Sequence, residues 1–245
     1  MESPVPLLQI MFLAQAGLQL LLLYWLVSIW RTTGLAIALV LMVPQFGLFY
    51  DNFIVGIGSW VGLGPLLEAI SWPRFWIHWL MGAWLIIAAG AILRIADIGW
   101  AQKKWVMGSF CGLTVFWMLW DIPYFFEKSL YPVCEFGLVR YSVQVAADKF
   151  CLSTQVVVPG GGPPWPQLVT CFVVIGAGMV LWVKRSFPWM ALGGILMFIS
   201  ATPPFQALKL DNLGEVMIAG GCIWALAHFS KGRKRATLAR EAVTT

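Results

Sequence analysis

Charge is scarce in this chain. Only 11% of its 245 residues are Asp, Glu, Lys or Arg, while 60% are hydrophobic, and the mean hydropathy is +0.81. A soluble domain carries about 25% charged residues, so the composition excludes an ordinary soluble domain and points to a polytopic membrane protein. Histidine is nearly absent, with two residues. With no His-Glu-x-x-His, the ligands for a metal or haem site are missing. No Gly-x-x-x-x-Gly-Lys loop is present, which removes support for ATP-driven transport. Neither Asp-Asp-x-x-Asp nor Asp-x-Asp-Asp occurs, nor a Cys-x-x-Cys pair, nor a Gly-x-Ser-x-Gly elbow. The sequence therefore predicts no metal and no cofactor. The net charge of +5 does not predict a nucleic-acid partner, because the basic residues flank apolar segments.

What is present is a series of apolar runs. They predict an all-α bundle of about seven transmembrane helices near 7–30, 33–50, 74–93, 105–126, 166–183, 187–203 and 213–230, each close to the ~20 residues that cross a bilayer. Met1 to Pro6 lacks the basic n-region of a cleavable signal. The stretch from Asp51 to Trp72 is left over. It is semi-polar and holds Gly56, Gly58, Gly62, Gly64 and Pro65, so it reads as a re-entrant or interfacial segment covered by the bundle. Residues 1–230 form one helical membrane domain, and 231–245 a basic cytoplasmic tail.

Lys and Arg set the predicted orientation. An extracytosolic N-terminus places eleven basic residues inside (Arg31, Arg94, Lys103, Lys104, Lys184, Arg185, Lys231, Arg233, Lys234, Arg235, Arg240) and five outside (Arg74, Lys128, Arg140, Lys149, Lys209). The protein then belongs in the endoplasmic reticulum of a eukaryote or the inner membrane of a bacterium. The loop at about 127–165 is extracytosolic and carries Cys134 and Cys151. A disulfide in an oxidising compartment and two free thiols both fit.

Most acids fall on that same outer side. Glu2, Glu127, Glu135 and Asp148 read as solvated, but Asp51, Glu68, Asp121, Asp211 and Glu215 border or enter apolar segments. An ionisable group in lipid is costly and marks a functional candidate. Asp211 and Glu215 are four apart, on one helix face. A carboxyl at Glu215 loses hydration, which favours the protonated form, while a helix N-terminus favours the anion. Glu68 has apolar neighbours on both sides, with Arg74 as an alternative ion-pair partner. His78, four residues after Arg74, either relays a proton or hydrogen-bonds within the bundle. Pro44-Gln-Phe-Gly-Leu-Phe-Tyr-Asp51-Asn52 is echoed by Pro204-Phe-Gln-Ala-Leu-Lys-Leu-Asp211-Asn212. Helix N-capping by Asp-Asn and a shared site role for Asn52 and Asn212 are both open.

The chain has 15 Trp, 16 Phe and 5 Tyr. Trp72, Trp76, Trp79, Trp117, Trp120, Tyr124 and Phe125 lie on the predicted side of the acids. They read either as an interfacial belt or as a pocket whose ring faces stabilise cations.

Size, span number, aromatic abundance and sparse intramembrane acids resemble the small integral-membrane terpene cyclases of meroterpenoid pathways. The resemblance covers the architecture and rests on no residue-by-residue motif. It implies a hydrophobic prenylated substrate within membrane lipid, protonation of an epoxide or alkene by a carboxylic acid, and ring closure through cations without a metal. It also implies one essential acid early in the chain, Glu68 or Asp51, and one late, Asp211 or Glu215. Asp121, toward the outer end of the fourth predicted span, reads as a third candidate acid from its position alone. A proton-coupled or small-molecule transporter is the rival class. The short repeat, the one-sided acids and the lack of a polar stripe across the membrane count against it.

Overall fold

The computed structural model describes residues 7–80, 82–161, 164–202, 205 and 211–244. The side chains of His78, Trp79, Asp121, Tyr124, Phe125, Asp211 and residues 232–244 lie outside the described set. The chain is mostly helical, at 78%. Its helices are α1 (Leu7–Thr33), α2 (Ala36–Val61), α3 (Pro65–Phe75), α4 (Trp84–Ile95), α5 (Lys104–Glu127), α6 (Trp165–Arg185), α7 (Trp189–Ser200) and α8 (Asp211–Thr244). Among the described residues four segments are long and apolar enough to cross a membrane: α1, α2, α6 and Asn212–Lys231 of α8. Helices α4 and α7 are apolar but only 12 residues long.

Gly34 turns the chain between α1 and α2. Its φ of +67° suits a residue without Cβ, and its N–H closes on the Trp30 carbonyl at 2.8 Å. Leu26, Ile29, Leu41, Ile92, Leu181 and Leu226 belong to one buried core shared by α1, α2, α4, α6 and α8. Small residues bring α6, α7 and α8 together. A Cβ on Gly178 would meet the backbone of Ala191, and one on Gly221 the backbone of Trp189. Close backbone approach of this kind gains dispersion where lipid supplies no hydrophobic drive.

The irregular backbone expected from Asp51 onward is corrected over 51–61, which is helical. Helix α2 continues to Val61, so Asp51 and Asn52 lie in its interior and are not an N-cap. The glycines that suggested irregular backbone serve packing instead: a Cβ on Gly56 would strike Leu13, and one on Gly58 the Val139 carbonyl. Only Gly62 to Gly64 interrupts the helix, with Pro65 opening α3 at a position where no N–H is needed. Helix α3 then passes into one π-helical turn at Trp76–Leu80.

The loop between α5 and α6 is folded. Strands β1 (Tyr131–Glu135) and β2 (Leu138–Ser142) pair antiparallel with Val133 opposite Arg140. Phe136 and Gly137 turn the hairpin, both with positive φ, the geometry that matches strand twist. Cys134 and Cys151 form a disulfide, settling the choice the sequence left open. The Gln155 side chain accepts from the Cys151 and Leu152 N–H groups and donates to the Pro132 carbonyl at 2.7 Å. Glu135 is not solvated. Its side chain is 10% exposed and faces Lys149 at 3.1 Å and Arg140 at 3.8 Å.

Candidate functional site

The hairpin and α3 meet α2 at a buried ion pair. Arg74 Nε donates to Asp51 Oδ1 at 2.7 Å, with side-chain exposures of 4% and 11%. An Arg74 terminal nitrogen also donates to the Tyr141 carbonyl of β2 at 3.3 Å, and the guanidinium lies 5.2 Å from the Phe75 ring centroid. Ser59 of α2 donates to the Gly137 carbonyl and accepts from the Val139 N–H. Ile54, Leu67, Leu130, Tyr141 and Val143 close an apolar cluster around this junction.

One residue along, the Asp51 network gives way to an amide pair. Asn52 is fully buried and donates to the Leu48 carbonyl. Its Oδ1 accepts from Asn212 Nδ2 at 3.0 Å. The two Asp-Asn dipeptides of the sequence echo therefore meet through their asparagines, although the first sits mid-helix and the second in the first turn of α8.

Glu215 lies one turn further along α8. It lines a small cavity of about 70 Å³ that is partly open to the outside. Pro44 and Leu48 of α2, Leu85 of α4, Met197 of α7 and Ile218 of α8 give the cavity an aliphatic wall. Helix α6 adds the polar side chains of Gln167 and Thr170. The Thr170 hydroxyl is buried and has no hydrogen-bond partner among the described residues. An apolar wall with a few convergent polar groups has the chemical character of a small-molecule site, and the cavity is smaller than the roughly 300–1,000 Å³ usual for one. A buried hydroxyl without a partner costs free energy unless something occupies the space beside it.

The other predicted residues are distributed as follows. Glu68 is half-buried in the first turn of α3 and does not line this cavity. Trp72 packs on the α3–hairpin cluster. Trp76 meets Phe126 edge-on at 5.8 Å. Trp117 and Trp120 pack edge-to-face at 6.0 Å, with Trp120 58% exposed. No aromatic side chain is among the described residues lining the Glu215 cavity. The expectations for His78, Trp79, Asp121, Tyr124, Phe125 and Asp211 concern side chains outside the described residues.

Sequence reasoning missed four glutamines. Gln9, Gln15 and Gln19 of α1 and Gln45 of α2 are all at most 3% exposed. Gln45 Nε2 donates to both the backbone and the side-chain oxygen of Gln19. The signal was available: Gln15 and Gln19 are four apart inside an apolar run, on one helix face. The search for ionisable groups passed over neutral amides.

No protein-family profile, no characterised protein and no solved structure matches this chain.

Proposed function

We propose that this chain is a seven-span membrane enzyme that protonates a prenyl-type chain and so starts its cyclisation, with Glu215 as the acid. The observation that carries the reading is the Glu215 carboxyl in the wall of a largely aliphatic cavity, beside Thr170 and Gln167. In the proposed step the Glu215 proton passes to an alkene carbon or an epoxide oxygen of the substrate. The π electrons of a second alkene then form the ring bond to the carbon made electrophilic, with the C–O bond of a protonated epoxide breaking to leave its oxygen as a hydroxyl. The resulting cation either loses a proton to the Glu215 carboxylate or is captured by a substrate hydroxyl whose proton passes to that carboxylate. Thr170 and Gln167 orient the substrate's polar end by hydrogen bonding. Asp51 is held by Arg74, and Glu215 is taken as the donor because it lines the cavity. The N-terminus is extracytosolic in this reading, following the Lys and Arg distribution.

A specific observation favours transport as a second reading. The four buried glutamines put polar groups inside the bundle, in place of the polar stripe that the sequence lacked to the eye. Polar side chains facing a bundle interior commonly mark a ligand or ion path.

The test supplies farnesylated phenols and indoles, with and without a terminal epoxide, to microsomes carrying the protein. Cyclised product that disappears in Glu215→Gln and survives in Glu68→Gln supports the enzyme. Absence of turnover, with proton-linked vesicle uptake that Glu215→Gln removes, replaces it with transport.

A further inference from the structure

A second cavity lies further along α6, beside Val173 to Val180. It opens between α4, α5 and α6 and has a volume of about 340 Å³. Leu93, Trp100, Phe110, Leu113, Val173 and Val180 make its wall apolar, and Ser109 is its polar group. The groove exists because α6 does not close on α5. A Cβ on Gly176, in the groove wall, would meet nothing within 4 Å, whereas Gly178, two residues on, is pressed against the Ala191 backbone.

One end of this groove is strongly basic. Trp100 is 45% exposed there, and Lys103 and Lys104 stand three and four residues after it, at the N-cap and first residue of α5. Val180 of the wall is one turn from Lys184. A direct contact brings the two sides together: Arg185 donates to the Ala96 carbonyl at 2.8 Å and to the Asp97 carbonyl at 2.6 Å. The same end holds Arg94, so five basic residues stand against one acid, the exposed Asp97. Lys103, Lys104 and Lys184 are all exposed, and no ion pair to them occurs among the described residues.

We infer that the groove between α4, α5 and α6 holds an acyl chain of an anionic phospholipid, whose phosphate is met by Lys103, Lys104 and Lys184. An apolar trough ending in ammonium groups complements such a lipid along its length, and Trp100 sits at the boundary where amphipathic rings settle. A zwitterionic lipid would fill the trough but gain little from the lysines, since its own cation offsets its phosphate. The site is separate from the Glu215 cavity and needs no enzymatic activity. It does rest on the chain's being embedded in a bilayer.

The experiment has three arms. Resistance of the protein to carbonate extraction from membranes tests embedding alone. Native mass spectrometry of the detergent-purified protein, titrated with dioleoyl phosphatidylglycerol and dioleoyl phosphatidylcholine, tests the site. The expected result is one tightly retained phosphatidylglycerol, and a preference over phosphatidylcholine that falls about fivefold for each of Lys103→Gln, Lys104→Gln and Lys184→Gln. Gly176→Leu fills the groove without a backbone clash and should reduce retention of both lipids. Equal retention of the two lipids by the unaltered protein overturns the inference, as does a lysine triple variant with unchanged preference. A dimer that Gly176→Leu disrupts would assign the groove to a second copy of the chain instead. Because the lysines are exposed, the charge arm stands even if Gly176→Leu fails to fold.

Discussion

Asn212 Nδ2 donates to Asn52 Oδ1 across 3.0 Å, joining residues 160 positions apart in the chain. The bond ties the interior of α2 to the first turn of α8, immediately before Glu215. It makes the placement of the candidate acid depend on α2, and through Asp51 on Arg74 and the hairpin.

Asn52→Ala and Asn212→Ala are expected to be non-additive. Removing either leaves the other amide in the bundle without this partner. A double-mutant cycle on thermal unfolding in detergent should return a coupling of about 0.6 kcal/mol, with about 1.7 as the upper end for membrane proteins. Full additivity would mean that the bond contributes nothing to the fold.

The Asp51–Arg74 pair should be costly to halve. Arg74→Leu leaves a carboxylate in a site it cannot leave, a loss of about 3–5 kcal/mol. Changing both residues to leucine should recover much of that loss. Thermal unfolding of the two variants decides it. A double variant as unstable as Arg74→Leu would show that the guanidinium bond to Tyr141, not the charge pair, is the main contribution.

Gly58→Ala places a methyl on the Val139 carbonyl, and backbone atoms on both sides cannot yield as a side chain can. The hairpin should lift from α2. Limited proteolysis within 129–161 should then proceed faster than in the unaltered protein, while helical circular dichroism stays the same. Gly176→Ala, with open space around it, serves as the control.

The disulfide closes a segment with its cysteines 17 residues apart. A loop of about that length is stabilised by about 3 kcal/mol in the chain-entropy account. Cys134→Ser with Cys151→Ser should loosen the 131–158 segment and speed its cleavage. Reductant should reproduce the effect in the unaltered protein and have none on the variant.

Glu215→Gln keeps the shape and removes the acid. If the proposed chemistry is correct, turnover falls by about 10²–10⁴, the usual contribution of a general acid. The unfolding temperature should stay close to that of the unaltered protein. Thr170→Val is expected to raise KM more than it lowers kcat, since its hydroxyl would orient the substrate and exchange no proton.

The membrane character was legible because it follows from composition. So was the helical character of the chain. Against seven predicted spans, four described helices are long and apolar enough to cross a membrane, and the run expected over 74–93 is divided between the end of α3, a π turn and α4. The course of 51–72 was not legible, because glycine carries two opposite meanings. It frees backbone at Gly62, and it permits contact at Gly56 and Gly58. Only the identity of what lies opposite, Leu13 and Val139, separates the two. Asp51 shows the same ambiguity: an Asp-Asn pair after a proline reads as a cap, yet it is the partner of an arginine 23 residues later. The glutamines were visible in the sequence but silent, since an amide reveals nothing of its burial until its neighbours are known.

By itself, the sequence determined that this chain seeks an apolar environment, that its polar residues are few enough to be counted singly, and that its acids and bases are unevenly spread. Those are properties of residues summed along a line. Tertiary structure alone decided that Asp51 meets Arg74 and that Glu215 lines a cavity, because burial and pairing depend on distances between segments far apart in the chain. Asp51 and Glu215 look alike as intramembrane carboxylates. One is held at 2.7 Å by Arg74, and the other lines an aliphatic cavity beside a buried hydroxyl.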